Sequence, residues 1–457
     1  MSLEPLDKGE NKKSMTSFFV LLVFLFLLGL ALAVLYKLYE RESPGFSWQT
    51  DISHFGIEKE LMFNATDAKR GIRSVTVSMT QDKKEINIFD KNFTDTGVIF
   101  PTGPKRVDET FPVNLRTAGF RDGVAELMVT VHDFSWWNWR SGNVATFKYP
   151  IVLDARPPIV RIIDSPHYIK PGSAGVIVYK VNEAVTRNGV MINGYFHPGF
   201  PLPKRGDKVY GAIIGMPYDV TSIKETFATA TDEAGNIGKA RFGMILRNAK
   251  KVRDRITVTD SFLDLKMPEF AQYYPILKGT PLEQYLYVNN EIRKENYATV
   301  RAVCSKSLPK QLWKGRFKRM ARSSKRAGFA DYRTYYYHDR KVDHQVHLGI
   351  DLASVRNAEV KASNSGVVAF ADFLGIYGNT VILDHGQGVF SLYAHMSQLN
   401  VAKGDEVKQD GLLGLTGNTG MAGGDHLHFS ILVNGIFVDP LEWWDARWLD
   451  LNIQNYL

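Results

Sequence analysis

The chain has 457 residues, 44% of them hydrophobic and 23% charged, a globular composition with room for about three domains. Its net charge of +8 equals the eight basic residues that stand without an acid between Lys310 and Arg326. The basicity is therefore local, a solvated face or an attraction to anionic polymer or lipid, and with no recognition motif beside it nucleic acid is not expected as a partner. One cysteine, Cys304, excludes an internal disulfide and reads as a small buried residue in a helix, not as a thiol nucleophile.

No charged residue lies between Lys13 and Lys37, and Phe18 to Tyr36 is almost wholly apolar. At about 1.5 Å per residue this run crosses most of a hydrocarbon layer of about 30 Å. It predicts a cytoplasmic tail over 1–16 and one transmembrane helix over 17–37. A cleavable signal is the competing reading, since Ala31-Leu32-Ala33 imitates a cleavage site. The apolar run exceeds the usual ~7–15 residues and continues past those alanines, which favours an uncleaved anchor. Lys8, Lys12 and Lys13 before the span outnumber Lys37 and Arg41 after it, a slight bias towards an inside N-terminus.

An internal repeat follows. Val129-Thr-Val-His-Asp133 corresponds to Ala228-Thr-Ala-Thr-Asp232, with Gly142-Asn143 and Gly235-Asn236 after them. Short alternating segments such as SVTVSMT and GVIVYKV lie between turn clusters, and the period of about 100 residues suits two tandem β-sandwiches, over 45–156 and 157–248. The second copy's ATATDEAGN resembles bacterial immunoglobulin-like (Ig-like) repeats. Pro157-Pro158 stiffens the junction. The first copy has an extra turn with Trp136, Trp137 and Trp139, read as a loop's own small core, with sugar stacking or a membrane interface as alternatives. Over 249–309 a mixed, partly helical connector is expected, because Thr280-Pro281-Leu-Glu283 has the cap, the first-turn proline and the third-position Glu of a capping box. That helix should run to about Cys304.

The region 310–445 carries the chemistry. His347-Leu-Gly-Ile-Asp351, Tyr393-Ala-His395 and His426-Leu-His428-Phe429 follow one another among dense glycine turn signals. In a strand, His426 and His428 share one face while Leu427 and Phe429 share the other, so one face is chemical and the other structural. His347 and Asp351 are also an even number apart, with Gly349 allowing a close backbone approach. Two imidazoles and a carboxylate suit catalytic Zn2+, which takes three protein ligands and keeps a position for water. His347, Asp351 and His428 are the expected metal ligands. His395 and His426 remain for proton transfer and transition-state stabilisation.

The stretches HLGIDLAS, SGVVAFA, YGNTVILDHGQGVFSLYAHMS and KGDEVKQDGLLGLTGNTGMAGGDHLHFSILVNGIFVDP resemble the lysostaphin or LytM-type zinc metallopeptidases, the murein endopeptidases. The resemblance covers a little over a quarter of the chain and places that family's metal ligands on His347, Asp351 and His428 and its catalytic histidines on His395 and His426. It implies one zinc ion and hydrolysis of peptidoglycan cross-links or stems. His385 matches a position that the family often fills with histidine and is read as a turn residue; His338 and His344 are read as solvated, and Arg333 and Tyr335 as packing or groove residues.

The expected architecture is thus multidomain and mainly β: one N-terminal transmembrane helix, two Ig-like sandwiches, a connector, an antiparallel-β lysostaphin-type peptidase domain and a short tail over 446–457. The expected protein is a single-pass, inner-membrane zinc endopeptidase facing the periplasm and wall, with peptidoglycan as substrate and room for a protein regulator. The competing class is a non-hydrolytic wall-binding regulator that activates a separate murein hydrolase.

Overall fold

A computed structural model describes residues 11–97 and 101–457. Lys8 and most of the expected cytoplasmic tail lie outside the described residues. By internal contacts the chain divides into two compact units, 1–157 with 233–236, and 158–232 with 237–457. The first division falls between Pro157 and Pro158, where the paired rings restrict the backbone.

The first unit begins with the helix Asn11–Leu38. Its stretch Ser17–Tyr36 is long and apolar enough to cross a membrane, and none of it is buried within the protein. A helix that is apolar all round satisfies its backbone internally while leaving side chains suited to hydrocarbon.

Two sheets follow around one core. One pairs Gly45–Trp48, Glu58–Thr66 and Arg106–Asn114; the other is five-stranded, with Gly123–Asp133 between Ile72–Gln81 and Val144–Leu153. Alternation sets the register: Val75, Val77 and Met79 stand opposite Val131, Val129 and Leu127, and all six are fully buried. Burial of one such side chain stabilises the fold by about 1.5–3 kcal/mol, which holds this register against a one-residue slip. The tryptophan turn behaves in a mixed way. Trp137 packs edge-on against Tyr39 at 6.4 Å and under the Arg41 guanidinium at 4.5 Å, whereas Trp139 is 94% exposed.

In the second unit, two four-stranded sheets enclose a core that includes Ile177, Tyr179, Val190 and Ala228. The strand Ala174–Val181 is buried along almost its whole length. Its even-numbered residues Val176 and Val178 belong to the core cluster of Ile431 and Val433, so this strand is covered on both faces.

The connector starts with the strand Arg253–Thr257, parallel to Asp331–Tyr337. It continues as helices Asp260–Tyr273, Pro281–Tyr287 and Arg293–Val303, the last two joined by the π-helical turn Val288–Ile292. The capping box forms as the sequence predicts, with Thr280 Oγ1 accepting from Glu283 N and Glu283 Oε2 accepting from Thr280 N. Cys304 ends the last helix, buried and unbridged.

A ten-stranded sheet follows, with Leu427–Val433 between Ile350–Ala353 and Val389–Leu399. All eight cations of the basic run are exposed, while Trp313 and Phe317 from the same run are buried in the core. Residues 446–457, expected as a tail, instead form the helix Ala446–Asn452 and a short turn. Asp445 caps that helix by accepting from Arg447 N and Trp448 N, and Leu449 and Ile453, one turn apart, are fully buried.

Candidate metal centre

The five residues expected to carry chemistry come together. His347 ends the strand Arg340–His347 of a small three-stranded sheet, and Asp351 lies in Ile350–Ala353 of the large one. The chain therefore changes sheets at Leu348-Gly349. Gly349 is required there: a Cβ would stand 2.5 Å from the His428 ring and 2.7 Å from Ser430 Oγ. Asp351 pairs across the sheet with His428. As the alternation predicts, Leu427 and Phe429 are 2% exposed in the opposite core.

The hydrogen bonds fix the tautomers. His347 Nδ1 donates to the Gly328 carbonyl at 2.8 Å, which in the neutral ring leaves Nε2 as a lone pair. Ser430 Oγ donates to the Leu348 carbonyl at 2.8 Å and so accepts from His428 Nε2–H at 3.1 Å, which leaves His428 Nδ1 as a lone pair. His347 Nε2, His428 Nδ1 and Asp351 Oδ1 then form a triangle with edges of 2.9, 2.9 and 3.0 Å. Three acceptors turned on one another in a buried site repel unless a cation lies among them. Two imidazole nitrogens and a carboxylate oxygen are a donor set that could hold zinc.

His395 and His426 flank this triangle, with ring centroids 4.8 Å apart. His395 adopts φ +63° where the strand Val389–Leu399 bulges, a conformation that costs energy in a residue with a Cβ and re-aims the imidazole. Its Nδ1 donates to the Thr419 carbonyl at 2.9 Å. Burial, together with the neighbouring His426 and His428, holds its pKa well below the usual histidine range, so its Nε2 is a free base. His426 Nδ1 donates to the Gly424 carbonyl at 2.7 Å, and its Nε2 lies 3.6 Å from Asp351 Oδ1. Burial lowers the pKa of His426, but the neighbouring Asp351 carboxylate outweighs it and favours the protonated ring.

Arg333 has a definite place: its Nη2 donates to Asp351 Oδ2 at 3.1 Å, a charge-assisted bond that orients the carboxylate. Tyr335 is 8% exposed and packs against Tyr285. His385 is fully buried away from the triangle, with Nδ1 on the Ser365 carbonyl and Nε2 on Ser391 Oγ, both at 2.7 Å. His338 and His344 are exposed. Ser430 went unremarked in the sequence, although it continues the His426, His428 alternation on the same face. A cavity of about 620 Å³ opens over the five residues, its far wall supplied by connector side chains that include Phe262, Leu265 and Arg293.

The model of Peptidase family M23 matches residues 345–440, the stretch that supplies the triangle and both flanking histidines. Over 97 residues the chain is 40% identical to the DD-carboxypeptidase/endopeptidase Mpg of Neisseria meningitidis, covering 21% of this chain and 22% of that protein. It is 37% identical over 96 residues to the peptidoglycan DD-endopeptidase ShyA of Vibrio cholerae, again covering 21% and 22%. The matched stretch thus spans about a fifth of the length of these curated relatives. Among solved structures, the catalytic domain of lysostaphin from Staphylococcus simulans aligns with a TM-score of 0.24 at 29% identity, covering 27% of this chain and 92% of that one.

Proposed function

With residues 345–440 a domain of peptidase family M23, we propose that this protein is a membrane-anchored zinc endopeptidase that hydrolyses peptide bonds of peptidoglycan cross-links or stems. The observation that carries this reading is the triangle of lone pairs from His347, Asp351 and His428, which calls for a cation. Those three residues are the metal ligands. Zinc bound there supplies Lewis acidity that makes water nucleophilic near neutral pH. His395 Nε2 is the base that takes the proton of the attacking water, and it returns that proton to the leaving amine nitrogen. Protonated His426 donates to the oxygen of the attacked carbonyl as negative charge develops on it. Arg333 holds Asp351 in its orientation.

The two sandwiches are of the Ig-like class, and the anchor is one of the inner membrane. The helix Asn11–Leu38 is the anchor, uncleaved, with everything after it outside. The non-hydrolytic alternative gives no reason for these five residues to line one cavity. The test is fragment analysis of purified peptidoglycan incubated with the detergent-solubilised full chain, with and without a zinc chelator. New free amino termini that the chelator abolishes support the proposal; wall binding without any cleavage refutes it.

A further inference from the structure

A second group of convergent ligand atoms lies in the first unit, and it is independent of the peptidase reading. Glu40, Asp67 and Asp133 are 4%, 4% and 0% exposed, and one carboxylate oxygen from each lies within 4.8 Å of the other two. They come from separate places in the chain. Glu40 stands two residues after the apolar helix ends, Asp67 follows the strand Glu58–Thr66, and Asp133 closes the strand Gly123–Asp133.

Backbone amides hold two of the three in place. Asp67 Oδ1 accepts from Lys69, Arg70 and Gly71 N at 3.2, 2.8 and 2.6 Å. Asp133 Oδ1 accepts from Ser135 N at 2.9 Å and Asn143 N at 2.7 Å, while its Oδ2 accepts from Asn143 Nδ2 at 2.8 Å. Glu40 differs. Its backbone carbonyl is fixed by Ser135 Oγ and Asn143 Nδ2, both at 2.9 Å, yet its side chain is 1% exposed and Oε2 has no hydrogen-bond partner among the described residues. A buried carboxylate oxygen without a donor is destabilising unless it takes up a proton or a cation. Lys69 Nζ stands 4.0 Å from Glu40 Oε1, but it is half-exposed and nearer to Glu42, at 3.4 Å. Lys69 is thus shared with a fourth carboxylate. Burial, with Asp67 and Asp133 adding to it and Lys69 opposing it, pushes the Glu40 carboxyl up to about 7.

We propose that Glu40, Asp67 and Asp133 form a binding site for a divalent calcium ion. The donors are all oxygen, with no imidazole or thiolate, which selects a hard cation over zinc. Oxygens supplied by the chain from three separate segments suit calcium, whose coordination is large and adaptable, better than magnesium, which keeps most of its waters. Bound there, the ion clips the residues just beyond the apolar helix to two strands of the first sandwich and orders the exit from the helix. The duplicated motif supplies the framework, since Asn143 of Gly142-Asn143 is the residue that links Asp133 to the Glu40 backbone.

The full chain in detergent, stripped of metal and reloaded with one equivalent of zinc, would be titrated with CaCl2 by calorimetry and by thermal melting. The expected result is one calcium ion per chain, with a Kd on the order of 10⁻⁴–10⁻³ M as in extracellular modules, and a melting temperature that rises with calcium. The isosteric changes Glu40→Gln and Asp67→Asn should each weaken binding at least tenfold while zinc content and peptidase activity stay at the wild-type level. The wild-type melt needs no variant and keeps the test decisive if either change impairs folding. The proposal is overturned by absence of calcium binding up to about 10 mM, by unchanged binding in Glu40→Gln, or by a preference for magnesium.

Discussion

Replacing Ser430 by Ala should weaken zinc binding without touching a ligand. Its hydroxyl is fully buried and does two things at once: it donates to the Leu348 carbonyl and accepts from His428 Nε2–H. Removing it orphans both groups at buried positions, at about 1–3 kcal/mol for each. Part of that cost falls on folding, and the part that falls on the metal site arises because His428 Nδ1 is no longer held as the lone-pair nitrogen. Since about 1.4 kcal/mol is tenfold in affinity, zinc should bind about 10–100-fold more weakly. Ser391→Ala is the matched control, because it takes the same hydroxyl from His385 Nε2 in an equally buried place away from the triangle. Zinc affinity would be read by competition with a chromogenic chelator and stability by thermal melting. Both variants should melt earlier and only Ser430→Ala should lose zinc affinity. Wild-type affinity in Ser430→Ala, or an equal loss in Ser391→Ala, would refute the argument that the serine sets the tautomer.

Asp351→Ala should lower zinc content and activity together, whereas His395→Ala should keep its zinc and lose about 10²–10⁴-fold in rate, as checked by metal analysis beside peptidoglycan turnover. Glu442 is pushed up to about 8 by burial, against the lowering effect of Ser173 Oγ, which donates to both of its oxygens at 2.8 and 2.7 Å. A raised carboxyl binds its proton more tightly in the folded state, so its contribution is full below about 4.5, declines as pH rises and is lost through about 8. Melting temperature measured across that range should fall less in Glu442→Gln than in the wild type. Leu265→Ala, which trims the connector wall of the cavity, should raise turnover of a soluble peptide several-fold if that wall restricts access; an unchanged or lower rate would assign the connector to substrate binding or spacing.

Local signals were enough for much of this molecule. A run of apolar residues, a capping box and the alternation of His426, Leu427, His428 and Phe429 each act within one turn or one strand, and backbone geometry alone turns them into a helix, a cap and a two-faced strand. The repeat of Asp133 and Asp232 was visible for the same reason, since each copy carries its own turn. The order of His347, Asp351, His395, His426 and His428 was legible because the resemblance fixes it. Tertiary structure decided the rest. That Arg333 reaches Asp351, that His385 belongs to Ser365 and Ser391, and that the helix Ala446–Asn452 packs on the core depend on which strands pair and which faces are covered. Glu40, Asp67 and Asp133 show the limit most clearly. Each is an ordinary acidic residue in its own segment, and only closure of the sandwich brings them within 4.8 Å, where desolvation and mutual repulsion make three carboxylates into a candidate cation site.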